Sequence, residues 1–127
     1  MNLMNLTKHT AQSKAQNWVD AWNNRDLNAV MMHYADDVSV CSPLVKRRSN
    51  KSDGWLHGKS ALREYFVVGM GNPDLQFTLK SVHVGVHSMS MVYARENGIQ
   101  VVDTMELNAD GLTTRMVACY SGGDTRV

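Results

Sequence analysis

The chain has 127 residues, which is enough for one compact domain and too few for two of ordinary size. Hydrophobic residues make up 43% and charged residues 20%, a balance that supports a buried core and excludes general disorder. The formal net charge of +1 argues against nucleic acid as a partner and against a polybasic membrane-surface protein. We expect a single domain over residues 1–127, with its core at about residues 10–121.

The longest apolar run, residues 116–120, is far shorter than the roughly 20 residues of a membrane-spanning helix. The amino-terminal stretch lacks the apolar segment of a secretory signal. Cys41 and Cys119 form neither a CxxC motif nor a spacing typical of metal ligands. We therefore expect a reduced, cytoplasmic protein without a membrane partner, and the sequence predicts no metal site and no cofactor.

Hydrophobic spacing predicts three helices in the amino-terminal half. The first, over about residues 10–24, has an apolar stripe at i, i+3, i+4 and i+7, made by Ala15, Trp18, Val19 and Trp22. A second, shorter helix follows the N-cap residue Asp26 and repeats this spacing in Leu27, Val30, Met31 and Tyr34. The third begins near residue 59, ends at residues 69–73, and carries on one face Ala61, Leu62, Tyr65 and Phe66.

Strands are predicted by alternation and turn signals. Residues 38–41 alternate like a short strand that stops at Ser42-Pro43, and the polar residues 44–57 predict a long surface loop. Turn signals at residues 97–98 and 110–111 separate later runs rich in Val, Met, Thr and Tyr. These runs predict strands near residues 75–86, 89–95, 99–108 and 112–120 in antiparallel meander order. Helices followed by strands are typical of the α+β class.

Several short segments resemble one known family in their order along about residues 12–120. They are WVDAW (18–22), DLNAV (26–30), YADDV (34–38), SP (42–43), GKSALREYF (58–66), PDLQF (73–77), DG (110–111) and ACY (118–120). The chain resembles the SnoaL-like branch of the nuclear transport factor 2-like superfamily. This resemblance implies a cone, in which a curved antiparallel sheet wraps around three helices, with an apolar pocket inside and usually a homodimer. The superfamily includes ketosteroid isomerases, polyketide cyclases and dehydratases, and its fold alone is a poor guide to chemistry.

Asp103 is the main catalytic candidate. On the strand near residues 99–108, alternation places it on one face together with Val101, Met105 and Leu107. A carboxyl group among apolar neighbours has a raised pKa and can act as a general acid. The resemblance supports this role, because steroid isomerases carry a protonated Asp at the matching strand position. The alternative is a purely structural Asp, bonded to the backbone or to a helical residue.

The resemblance also indicates which mechanism is missing. Steroid isomerases have a Tyr on the first helix and a general-base Asp just before the Pro that follows the first strand. Alignment places Trp18 and Ser42 at these two positions. Ser42 cannot abstract a carbon-bound proton at neutral pH without a partner base, and Trp18 offers only an N–H. The steroid isomerase mechanism is therefore disfavoured.

Two histidines are candidates for a catalytic partner of Asp103. SnoaL-type cyclases pair an acid-base Asp with a nearby His, and the resemblance points to His83 or His87. These residues lie four positions apart on one predicted strand, roughly 13 Å, which is too far to share a metal ion. A surface or interface position is the alternative for both histidines.

The predicted pocket opens between the first helix, the loop at residues 43–57 and the third helix. We expect Asp103 to be its only buried carboxylate, beside the lining residues Trp18, Tyr34, Ser42, Trp55, Tyr65, Met105 and Tyr120. Trp55 lies between two glycines and is a candidate mobile lid, whereas Trp22 and Phe66 are assigned to the core. The basic residues 46–48 are expected on a solvated loop, or alternatively at the pocket mouth, where they would bind an anionic part of a ligand.

Two classes of function follow from these residues. The first is an isomerase-, cyclase- or dehydratase-type enzyme in which Asp103 acts as the acid-base residue on a small apolar carbonyl compound. The second is a non-catalytic ligand-binding module or a dimeric scaffold. In either case we expect a homodimer through the second face of the sheet, which carries the apolar residues Val102 and Val117.

Overall fold

The computed structural model describes residues 6–123. Its helices are α1 (Lys8–Asn23), α2 (Leu27–Met31), α3 (Pro43–Arg48) and α4 (Lys59–Met70). Its strands are β1 (Tyr34–Cys41), β2 (Trp55–His57), β3 (Thr78–Gly85), β4 (Ser88–Ala94), β5 (Gln100–Leu107) and β6 (Thr113–Tyr120). The predicted α+β class is confirmed. None of the helices in the described range is both long and apolar enough to cross a membrane.

The second helix begins at the predicted N-cap, Asp26, and the first helix is capped by Thr7. Thr7 accepts a hydrogen bond from the backbone N–H of Thr10 at the start of α1, and Asp26 accepts one from Ala29 at the start of α2, both at 3.1 Å. The apolar stripe of α1 is buried as predicted. The prediction that α2 extends to Tyr34 is wrong, because the helix ends at Met31 and Tyr34 is the first residue of β1.

The six strands form one curved sheet in the order β2-β1-β6-β5-β4-β3. The meander from β3 to β6 is antiparallel as predicted. The expectation of a wholly antiparallel sheet is wrong at one place, because β1 pairs with β6 in parallel. Strands joined by a short turn must be antiparallel, but β1 and β6 are joined through most of the chain, so no turn constrains their relative direction.

The predicted surface loop at residues 44–57 contains two regular elements instead. Ser42 caps α3 by accepting a hydrogen bond from Leu44 N at 3.2 Å, and Pro43 occupies the first helical position. Leu44 and Val45 are buried, so the segment contributes to the core. Downstream, the three residues of β2 pair with β1. The structure therefore has four helices in the described range, where the sequence predicted three.

An aromatic cluster fixes α1 against the inner face of the sheet. The Phe77 ring stacks on Trp18 with a centroid distance of 5.8 Å, and it contacts Trp22 at 5.5 Å and Tyr93 at 4.8 Å. The Asn23 amide holds the Phe77 backbone from both sides, donating to its carbonyl at 2.9 Å and accepting from its N–H at 2.8 Å. The end of α1 is thereby tied to the segment that leads into β3.

Candidate active site

A cavity lies between the inner face of the sheet and helices α1, α3 and α4. Its enclosed volume is about 50 Å³, which is smaller than the roughly 300–1,000 Å³ of sites that hold a drug-sized ligand, so a ring-sized ligand has to open it further. Its wall is mainly aromatic, with side chains from two helices, the segment before β3, and the sheet: Trp18, Trp22, Tyr65, Phe66, Phe77, Tyr93 and Tyr120.

The structure brings together some of the residues that the sequence assigned to the pocket. Four of them line this cavity together with Asp103, namely Trp18, Ser42, Tyr65 and Tyr120. Tyr34 and Met105 do not. They line a second, smaller cavity. Tyr34 is the first residue of β1, and Met105 is the next inward-facing residue after Asp103 on β5. The Tyr34 hydroxyl accepts a hydrogen bond from Trp18 Nε1 at 2.9 Å.

Trp55 lies on the opposite face of the sheet. On β2, Leu56 is buried on the inner side, so its neighbours Trp55 and His57 face outward. The Trp55 ring stacks on His57 at 6.1 Å, and the Arg115 guanidinium lies 5.0 Å from its centroid. The expectation that Trp55 lines the pocket as a lid is therefore corrected, because pairing with β1 places its ring on the outer face.

Neither candidate histidine lies in the cavity. His83 is exposed on β3, the edge strand, and faces away from the buried Val82, with its Nε2 3.3 Å from Ser81 Oγ. His87 is exposed in the turn between β3 and β4. The geometry does not bring either side chain to Asp103, so it gives no support to a catalytic pair with His83 or His87.

Asp103 is buried at the wall of the main cavity. Alternation along β5 is as predicted, and Asp103 has 1% of its surface exposed, the only buried carboxylate in the described part of the chain. The Tyr93 hydroxyl donates a hydrogen bond to its Oδ2 at 3.3 Å. Burial raises the pKa of the Asp103 carboxyl to about 7, and the bond from Tyr93 partly offsets this rise. At neutral pH this group can therefore either donate or accept a proton.

The tyrosines of the cavity stay protonated and act as hydrogen-bond donors. Burial raises the pKa of Tyr65, Tyr93 and Tyr120, and the nearby Asp103 charge raises those of Tyr93 and Tyr120 further. Ser42 interacts with the hydroxyls of Tyr65 and Tyr120 and partly offsets the rise in their pKa. Ser42 therefore caps α3 and also contacts two phenol groups.

Three buried polar atoms around this cavity have no hydrogen-bond partner. They are Trp22 Nε1, Arg95 Nε and Asp103 Oδ1, and all three residues line the main cavity. A buried polar group without a partner costs about 1–3 kcal/mol of stability, so folded proteins keep few of them. Their concentration among the lining residues makes this cavity the candidate functional site.

Comparison with known proteins agrees with this fold. The model of the SnoaL-like domain family matches residues 15–121. The chain belongs to the SnoaL-like family. A SnoaL-like protein of unknown function from Burkholderia thailandensis has 29% identity and a TM-score of 0.89, over 94% of this chain and 100% of that chain.

Two further crystal structures share the fold of this SnoaL-like protein. One is a protein from Kribbella flavida, with 17% identity and a TM-score of 0.69 over 90% of this chain and 88% of that chain. The other is a protein of unknown function with a cystatin-like fold from Methylobium petroleophilum, with 10% identity and a TM-score of 0.72 over 93% and 80% of the two chains. No curated protein matches the sequence.

Sequence reasoning missed Arg95, and it assigned Trp22 and Phe66 to the core although both also line the cavity. A signal for Arg95 was available in this SnoaL-like chain, because the buried positions of β4 are Met89, Met91 and Tyr93. Extending the same alternation by two residues places Arg95 on the inner face. Among residues 6–123, no group of three His, Cys, Asp or Glu side chains is arranged to hold a metal ion.

Proposed function

We propose that this SnoaL-like protein is an acid-base enzyme that transfers a proton on a small apolar carbonyl compound, with Asp103 as the acid-base residue. One observation carries the proposal. A carboxyl group with a pKa of about 7 and an unpartnered oxygen lies in the wall of an aromatic cavity. General acid-base catalysis is most effective when the pKa of the catalytic group is near the working pH.

The site supports a one-carboxyl mechanism. The ionised Asp103 accepts a proton from the carbon next to the substrate carbonyl, and the resulting carboxylic acid returns that proton to another position of the same molecule. Negative charge develops on the carbonyl oxygen between these two steps. The hydroxyls of Tyr65 and Tyr120 are the donors available to stabilise this charge, because their raised pKa values keep them protonated. No base is then required at Ser42.

Deuterium exchange tests the proton transfer without knowledge of the natural substrate. We expect the wild-type protein to catalyse exchange of the methyl protons of acetophenone in D₂O near neutral pH, followed by proton NMR. Asp103→Asn keeps the side-chain shape but cannot transfer the proton, so the rate should fall by about 10²- to 10⁴-fold. Asp74→Asn, a change at an exposed carboxylate, is the control and should keep the wild-type rate.

Binding of ketones without proton exchange would refute the proposed acid-base function. If the wild-type protein binds acetophenone, cyclohexanone and cyclohexenone but accelerates exchange in none of them, Asp103 does not act as a base on such compounds. The chain would then be a ligand-binding member of its family, which is the second class considered above.

We also propose a homodimer in the cytoplasm, assembled through the outer face of the sheet. Val102 is 37% exposed in the middle of this face, next to Val117 and Cys119 on the neighbouring strand. Sedimentation velocity at micromolar concentration should give the mass of two chains, and Val102→Asp should give the mass of one. Val86→Asp, in a turn where Val86 is 88% exposed, should remain dimeric. A monomeric wild-type protein would refute the dimer.

A further inference from the structure

The three unpartnered atoms on residues of the main cavity are two hydrogen-bond donors and one carboxyl oxygen. Arg95 Nε and Trp22 Nε1 are N–H donors, whereas Asp103 Oδ1 belongs to the carboxyl group that the proposed reaction uses. No other buried side-chain nitrogen or oxygen in the described range lacks a partner. Since folded proteins pair nearly all such atoms, two unpaired donors in one cavity indicate a ligand that brings acceptors.

Arg95 has the geometry of an anion-binding residue. Its side chain is only 7% exposed, and its guanidinium carbon lies 5.5 Å from the centroid of the Phe77 ring. Its nearest carboxylate is Glu96, with an Nη2–Oε2 distance of 3.6 Å, which is longer than the roughly 2.7–2.9 Å of a charge-assisted hydrogen bond. Glu96 also accepts a hydrogen bond from the backbone N–H of Gln76 through its other oxygen. Arg95 also forms a hydrogen bond with the Tyr120 hydroxyl. Its charge is therefore only partly neutralised, and its Nε has no partner.

The charges around the cavity also favour an anion. Arg48 lines the same cavity, with its guanidinium carbon 5.9 Å from the centroid of the Tyr65 ring. Asp103 is the only carboxylate among the lining residues, and it is neutral when protonated. Two guanidinium groups therefore face a cavity whose own negative charge is at most one, and planar guanidinium groups match carboxylate geometry.

We propose that the carbonyl compound bound in this cavity is not wholly apolar: it has an aromatic or alicyclic ring and also carries a carboxylate, which Arg95 binds while Trp22 donates a further hydrogen bond. The carbonyl group of this ligand is inferred from the function proposed above. Its carboxylate is inferred from Arg95 and Trp22 alone. Aromatic walls on several sides suit a flat or compact ring between these two groups.

A matched pair of probes tests the carboxylate. 4-Acetylbenzoate and 4-acetylbenzamide have the same ring and ketone and differ in one charged group. By isothermal titration calorimetry, the wild-type protein should bind the acid at least about tenfold more tightly than the amide. Arg95→Gln should remove this preference. Arg115→Gln, a change on the outer face of the sheet, should retain it.

Three results would overturn the inference. The wild-type protein could bind the acid and the amide equally, or it could fail to bind the acid at millimolar concentration. The third is a preference that persists in Arg95→Gln. If Arg95→Gln does not fold by circular dichroism, Arg95→Lys provides the test, because it keeps the charge without the planar fork and should reduce the preference without abolishing it.

The binding experiment requires no turnover, so it separates the two proposals. A preference for the acid without deuterium exchange in either ketone would refute the proposed acid-base function alone. Exchange without any preference for the acid would refute the carboxylate ligand alone.

Discussion

Replacing Asp103 with Asn is expected to stabilise the protein by as much as about 4 kcal/mol at pH 8 and to leave its stability unchanged near pH 4. The carboxyl has an ordinary pKa of 3.8 and a folded-state pKa of about 7, a difference that corresponds to about 4 kcal/mol. The cause is burial, because the wild-type protein must fold around an ionised carboxylate above pH 7. The Asn amide has no charge to bury.

The direction of this effect follows from proton binding. Folded protein holds the Asp103 proton more tightly than the unfolded chain does, so the stability due to the protonated group is complete below about pH 4. It is lost as the pH rises to about 7. His33 acts in the opposite direction, because burial and the nearby Lys14 lower its pKa to about 4, and acidification from about pH 6.5 then destabilises the folded state. Only the difference between variant and wild type isolates Asp103.

Urea denaturation of both proteins at about pH 4, 6 and 8 measures this difference. It should be close to zero at the lowest pH and largest at the highest. Asp74→Asn should show no comparable trend. Carbon-13 NMR of the Asp side chains provides an independent measurement. The carboxyl resonance of Asp103 is identified by its absence from Asp103→Asn, and in the wild-type protein it should titrate near pH 7. A stability difference that does not change with pH would contradict the burial of an ionisable group at this position.

Phe77→Ala is expected to destabilise the protein by about 3–5 kcal/mol. The ring is almost completely buried and contacts Trp18, Trp22 and Tyr93, so its removal leaves a void between α1 and the sheet. It also removes the ring against which the Arg95 guanidinium lies. The free energy of unfolding from urea denaturation at one fixed pH measures the loss.

Trp55→Ala is the matched control for this prediction. Trp55 is a larger aromatic residue, but it lies half-buried on the outer face, between His57 and Arg115. Its removal should cost less than about 2 kcal/mol. If Trp55→Ala lost as much stability as Phe77→Ala, the aromatic cluster would not be the main contact between α1 and the sheet.

Residue patterns within short segments correctly predicted the helices and strands that are determined by neighbouring residues. Apolar spacing located α1 and α4, and turn residues with alternation located the meander and the inner face of Asp103. The parallel pairing of β1 with β6 joins segments that are distant along the chain, so no neighbouring residue signals it. The face of Trp55 could not be predicted either, because β2 has three residues and takes its register from β1. Ser42 and Pro43 are the N-cap and first residue of α3. This capping signal is visible in the sequence, where it was interpreted only as the end of the preceding strand.

The sequence likewise predicted only part of the candidate site. Five of the residues named from the sequence lie around one cavity in the structure: Asp103, Trp18, Ser42, Tyr65 and Tyr120. Tyr34 and Met105 were assigned to the same cavity, since a one-dimensional pattern gives the face of a residue but not its distance along the sheet.

The parallel pairing of β1 with β6 has a consequence for the order of folding. The meander from β3 to β6 forms between neighbours in the chain, whereas β1 must close a loop that contains most of the protein before it can pair. Val40 from β1 and Met116 from β6 meet at this seam, and both line the main cavity. We therefore expect the cavity to be completed in the last, rate-limiting stage of folding, so that a ligand recognises only chains that have finished folding.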